Sequence, residues 1–220
     1  MNVARRLDEL LQARYITRGK SLRSFARGIS PWSYAALQGR LVSLLPGAMN
    51  APFTALFQVI WDAQEEGETV AWVGGTQSCF YPPDVARLGV DLNAITVIRL
   101  SADKDIWFAA DTLIRSGAVG MVVIDLASLE ERRPSKNSLA LQHRLSGLAR
   151  THNCAVIILP FHQNRHDDNG VLVSLTVKTS KTPLSLPFGA YQLGVTPQKD
   201  KTGTSNWKIE EVCDAPDGLC

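Results

Sequence analysis

The chain has 220 residues, 45% of them hydrophobic and 20% charged, with a formal net charge of +2. This is the composition of an ordinary globular protein long enough to bury a core unaided, which excludes a disordered tail, a disulfide-stapled miniprotein and a strongly polyionic binder. The longest apolar runs, such as Ala155–Leu159, are strand-length and far short of the ~20 residues that span a membrane. The N-terminus carries arginines but no apolar stretch of a secretory signal, so a cytoplasmic protein without membrane contact is expected. Cys79, Cys154, Cys213 and Cys220 show no paired C-x-x-C spacing, which argues against a zinc site or a disulfide framework and leaves four reduced thiols.

Charge is unevenly distributed. Residues 1–40 carry eight Lys/Arg against Asp8 and Glu9, whereas residues 41–98 carry Arg87 alone against six acids. A basic arm beside an acidic core attracts either nucleic acid or an acidic protein surface. Within the arm, Ala4–Tyr15 places Leu7, Leu10, Leu11 and Tyr15 near helical spacing, with Arg5, Arg6, Asp8, Glu9 and Gln12 elsewhere on the cylinder. This amphipathic helix is a candidate partner-binding element, or else it folds back on its own core. Gly19, Gly28 and Pro31 punctuate the stretch between this helix and the first strand, so residues 1–38 read as an N-terminal helix and basic linker, and residues 39–220 as the core domain. Trp32 and Tyr34 are either a docking anchor or a cover for a sheet edge.

The core alternates strand and helix. Strands are expected near 40–45, 69–73, 95–99, 119–125 and 154–160, and helices near 54–66, 83–88, 103–116 and 136–151. Such alternation implies right-handed parallel crossovers. After residue 170 three strand-like runs, 171–177, 190–196 and 206–212, give the sheet an antiparallel or mixed edge. Pro183, Pro187, Pro197 and Gly203 are read as its turns.

The loop between the first strand and its helix is where nucleotide-binding folds hold phosphate with the pattern G-x-x-x-x-G-K-[ST]. Here those positions are Pro46, Ala51, Pro52 and Phe53, and no lysine occurs between Lys20 and Lys104. A phosphate cradle aims several backbone N–H groups at one anion, with glycines permitting the curvature. Pro52 removes one donor where the lysine would stand, and Phe53 replaces a magnesium-binding hydroxyl with an apolar ring.

Several segments nevertheless resemble bacterial RecA. Gly39-Arg40-Leu41-Val42 resembles the opening of the RecA phosphate-loop strand. Gln58-Val59-Ile60 followed by Ala63–Gly67 resembles the helix after the loop. Ala86–Leu92 and Ile114–Val119 are similar to two characteristic RecA segments, and Met121–Asp125 resembles a Walker B strand ending in its acidic residue. The resemblance implies an α/β RecA-like core: a largely parallel β-sheet flanked by helices, with an antiparallel or mixed C-terminal edge. RecA activates water with an acidic residue at the end of its second core strand; here Gly74-Gly75-Thr76-Gln77 stands at that place, and Thr76 is the nearest equivalent. ATP hydrolysis is therefore not expected, nor are catalytic residues, a bound cofactor or a metal. Asp125 is then either a strand-end carboxylate capping neighbouring groups or a remnant magnesium ligand.

Among RecA relatives of this length without a working phosphate loop, the chain most resembles the ImuA-type accessory proteins of bacterial translesion mutagenesis. That resemblance implies a damage-response role beside RecA and an inactive ImuB-type Y-family polymerase homologue, with an error-prone replicative-type polymerase engaged indirectly. The alternatives are a SulA-like division inhibitor that caps FtsZ, and an unorthodox DNA-dependent ATPase whose lysine comes from Lys104, Lys136 or a neighbouring subunit. The loop after the fifth strand stands where RecA carries a mobile DNA-contacting loop, so His162, Gln163, Arg165 and His166 are candidates for contact with DNA or a partner. Asp167 and Asp168 oppose an anionic partner there, and a solvated turn is the competing reading. Glu130–Pro134 is a charged loop, read as solvated or as a docking surface.

Overall fold

The computed structural model describes residues 30–45, 51–78, 80–82, 85, 88–126, 138–160, 172–184, 190–202 and 206–213. Leu7, Leu10, Leu11, Tyr15, Pro46, Lys136, the 130–134 loop and His162, Gln163, Arg165 and His166 lie outside the described residues. The compact unit that holds the sheet begins at Pro31. Pro31–Gln38, read from sequence as linker, thus belong to it.

Eight strands form one sheet in the order β3-β2-β4-β5-β1-β6-β7-β8. They are β1 (Leu41–Leu45), β2 (Val70–Gly75), β3 (Ile95–Leu100), β4 (Met121–Asp125), β5 (Ala155–Leu159), β6 (Leu175–Pro183), β7 (Tyr191–Asp200) and β8 (Ile209–Cys213). Strands β3 to β6 in that order pair in parallel, and β7 and β8 add on in antiparallel fashion. The largely parallel α/β architecture with an antiparallel C-terminal edge is the one expected.

Among the described residues, helices α1 (Tyr34–Leu37), α2 (Pro52–Glu65), α3 (Asp103–Ser116) and α4 (Ser138–His152) pack on the sheet. Strand alternation divides the interior. Val42, Trp72, Val123 and Ile157 face α1 and α2, whereas Leu41, Val73, Ile124 and Ile158 face α3 and α4. Burying both faces of a central parallel sheet requires the near-continuous apolar runs seen in β2, β4 and β5. Helix α3 stops at Gly117, whose φ of 66° is the left-handed conformation that ends helices at low steric cost.

Three sequence-based expectations are corrected. Strand β6 begins at Leu175, four residues later than the apolar run from Val171 suggested, and continues through Pro183. Pro197 marks no turn: it lies inside β7 at a register irregularity opposite Thr176 and Val177, the bulge position where a residue without an N–H is tolerated. Trp32 and Tyr34 cover α2 and not a sheet edge. The Trp32 indole donates to Ala55 O at 3.0 Å, and the Tyr34 amide donates to Asp62 Oδ2 at 2.7 Å.

The described cysteines, Cys154 and Cys213, are not joined in a disulfide. Cys154 is fully buried, and burial pushes its pKa up to about 12, which keeps it protonated and inert. Among the described residues no helix is long and apolar enough to cross a membrane.

Candidate functional site

Strand β1 ends at Leu45 and α2 begins at Pro52, so the junction that would hold phosphate lies at the carboxyl end of the sheet. Ala51 is the N-cap and contributes no side-chain hydrogen bond, and Pro52 occupies the first helical position. Proline suits that position because the missing N–H is one of the unpaired donors of the first turn. The same choice subtracts one donor from any anion site. Thr54, in the first turn of the helix, shares a hydrogen bond of 2.9 Å with the Tyr191 hydroxyl of β7.

Phe53 is half-buried and turns toward β2. Its ring stacks on Trp72 with centroids 6.1 Å apart, and on Phe57 one helical turn on at 6.2 Å. Phe57 stacks on Trp72 at 5.9 Å, and Phe80 closes the group against Trp72 at 5.1 Å and Phe57 at 6.2 Å. Trp72 is fully buried. Four aromatic rings thus join the first turns of α2 to the end of β2, the space over which a phosphate loop would face its catalytic carboxylates.

Asp125 ends β4. Following Met121 and Val123 in the alternation, its side chain faces α2, and only 2% of the residue is exposed. The Ser78 hydroxyl donates to Asp125 Oδ2 at 2.8 Å and accepts from Trp72 Nε1 at 3.1 Å. A buried carboxylate needs such a donor, and here a side chain supplies it. The Asp125 carboxylate is thus tied to β2 and its following turn through Ser78. Thr76, the expected equivalent of the water-activating residue, is exposed, and Ser78 two positions later makes the contact. Lys104 sits exposed in the first turn of α3, a helix packed on the opposite face from the Asp125 side chain.

Sequence reasoning missed Ser78, Trp72, Phe57 and Phe80. Two signals were available: the i, i+4 spacing of Phe53 and Phe57 on α2, and the inward phase of Trp72 between Ala71 and Val73.

Beside this group, α2 rests on β8 through a carboxylate. Gln58 Nε2 donates to Glu211 Oε2 at 2.7 Å. Burial raises the Glu211 pKa above its ordinary value of 4.5, only partly countered by the Gln58 bond. A raised acid stabilises the fold below its unfolded pKa, and that stability is lost as pH rises through the folded value. Replacing Glu211 by glutamine should accordingly raise the thermal midpoint near neutral pH and change it less in mildly acidic buffer. A midpoint difference that is the same at both pH values would show that ionisation of Glu211 is not what the site resists.

The comparisons with known proteins agree with this architecture. No protein-family model matches the chain. Protein RecA of Chlorobium limicola is 30% identical over 116 residues, covering 53% of this chain and 32% of that protein. Protein RecA of Chlorobium chlorochromatii is 30% identical over 145 residues, covering 63% of this chain and 40% of that protein. The aligned regions thus span about a third to two fifths of these relatives. Among solved structures, the RadB recombinase superimposes with a TM-score of 0.59 at 16% identity, over 79% of this chain and 87% of that one. A KaiC-like protein from Pyrococcus horikoshii OT3 gives 0.55 at 16% identity, over 81% of this chain and 90% of that one. The fold is therefore the RecA-like α/β fold. Within it, this chain resembles RecA in sequence and carries Ala51, Pro52 and Phe53 where the phosphate pattern has glycine, lysine and a hydroxyl.

Proposed function

We propose that this chain is a non-catalytic RecA-like accessory protein of bacterial DNA-damage-induced translesion mutagenesis, acting by surface recognition beside RecA and an ImuB-type polymerase homologue. The observation that carries the reading is the aromatic ring at the start of α2, packed on Trp72 of β2. Phe53 occupies the position of the magnesium-binding hydroxyl and stacks on Trp72, while Ser78 engages Asp125. Phe53 offers no hydroxyl to a magnesium ion, and one oxygen of the Asp125 carboxylate is engaged by Ser78. The assignment to translesion mutagenesis rests on the resemblance to ImuA-type proteins and on the RecA-like sequence.

Two measurements test the two halves of the proposal. In a titration with ATP and magnesium, followed by the intrinsic fluorescence of Trp72 and its neighbours, no binding tighter than about 100 micromolar is expected. Tighter binding would remove the non-catalytic half. Co-purification of the intact protein from damaged cells should bring along RecA and a Y-family polymerase homologue. Recovery of FtsZ would assign the chain to division control and remove the mutagenesis half.

A further inference from the structure

Helix α3 turns one side to the protein and the other to solvent. Ile106, Ala110 and Ile114 are buried against β2 and β4. Asp111 points to α4, where Arg144 grips it through Nε at 2.5 Å and Nη2 at 2.9 Å. The outward side carries Asp105, Phe108, Thr112 and Arg115, all of them exposed. Successive spacings of three, four and three residues set these four in one straight stripe along the helix. Phe108 is 72% exposed, more than any other large hydrophobic side chain among the described residues. The Thr112 hydroxyl donates to Phe108 O at 2.9 Å, so its methyl group is what remains for a neighbour to meet.

A single exposed ring needs no explanation. The arrangement around it does, because the stripe is complementary to itself. Asp105 and Arg115 stand equally far from Ala110 on either side, and so do Phe108 and Thr112. Two α3 helices lying antiparallel about a two-fold axis at the level of Ala110 therefore set Asp105 of each copy against Arg115 of the other. Between these two charge pairs, Phe108 of each copy meets Thr112 of the other. Arg115 has donors to spare for the contact. Its Nη2 reaches Asp111 at 3.2 Å, a guanidinium carries five N–H groups, and its side chain is 54% exposed.

We infer that the outward stripe of α3 is a self-association surface, through which two copies of this chain join by antiparallel α3 helices. A helix of another protein is the other occupant to consider. Recognition of a foreign stripe does not require opposite charges and matched apolar groups to be spaced symmetrically about one residue, whereas a two-fold contact does. The 14 residues of α3 extend about 21 Å, so the contact is small and the association reversible, with a dissociation constant on the order of 10–100 micromolar. Helix α2 packs on the opposite face of the sheet and stays outside the contact in both copies.

Sedimentation equilibrium of the full chain tests the inference, and dimers are expected at several times that concentration. Phe108→Ser should weaken the association by about tenfold or more. Asp105→Arg and Arg115→Asp should each be monomeric, since each sets like charges against one another at both ends of the contact. An equimolar mixture of these two variants restores an opposite pair at both ends and should associate about as tightly as the wild type. Thermal midpoints of the three variants should stay near that of the wild type. A wild-type chain that remains monomeric, a dimer that Phe108→Ser leaves intact, or a mixture no tighter than its separate components overturns the inference. So does a monomeric chain that loses a co-purifying protein on Phe108→Ser, which would assign the stripe to that protein.

Discussion

Replacing Trp72 by alanine should lower the free energy of unfolding by about 3–5 kcal/mol, read as a drop in the urea midpoint. Trp72 is fully buried and touches Phe53, Phe57 and Phe80, so its removal opens a cavity between a helix and a strand that cannot easily close on it. The indole N–H also fixes Ser78, which in turn satisfies Asp125. Trp72→Phe separates the two contributions. It keeps a ring in the stack and removes only the indole hydrogen bond, a change of about 1 kcal/mol together with a small void. If alanine and phenylalanine cost the same, the hydrogen bond and not the packing holds this end of the sheet. If alanine costs less than about 1 kcal/mol, the rings are no structural element and the filled-site reading loses its basis.

Arg40→Ala should cost about 3 kcal/mol, because it strands a carboxylate that the fold has enclosed. The Asp200 side chain is 3% exposed and that of Arg40 15%, with Nη2 2.5 Å from Asp200 Oδ1. The guanidinium also reaches Ser174 Oγ at 3.3 Å and Ser174 O at 3.4 Å, tying the start of β1 to β6 and β7. Burial alone would raise the Asp200 pKa. The Thr202 hydroxyl and amide, together with Arg40, outweigh it and hold the group below its ordinary 3.8. A depressed carboxylate stabilises the fold above its unfolded pKa, and the stabilisation is lost as pH falls through the folded value. The wild-type chain should therefore lose stability steeply in acid, and Arg40→Ala should flatten that limb as well as lowering the plateau. Unfolding curves at several pH values would show it. A plateau loss with an unchanged acid limb would place the effect in lost packing of the arginine stem.

The parallel core was legible because its strands are buried on both faces and so appear as uninterrupted apolar runs. Helix α3 was read to its ends, since Gly117 stops it. The antiparallel edge was less legible. Strand β6 buries only Leu175, Val177 and Thr179 on one face, and its polar residues obscure it behind the more apolar run at Val171. What fixes its place is pairing with β1 and β7, which no local pattern states. Pro197 misled for a related reason: a bulge and a turn use the same residue, and only the partner strand distinguishes them.

At the candidate site, the sequence disclosed the losses and not the replacements. The missing lysine and hydroxyl could be read from spacing alone. That Phe53 meets Trp72, or that Ser78 crosses 47 positions to Asp125, depends on β2 and β4 being neighbours in the sheet. Long-range contacts of this kind become visible only once the strand order is known.

The aromatic group has a consequence for regulation. A protein whose interior is completed by a ligand is stabilised in proportion to ligand concentration, and it can occupy two states that the ligand tells apart. Under the proposed function four of this chain's own rings complete that interior instead, and the concentration dependence vanishes together with the means of switching. Under the proposed function, such a subunit would meet its partners in one conformation throughout the cell's energy cycle. Its activity would then be set by how much of it is made, and by whether its partners are present.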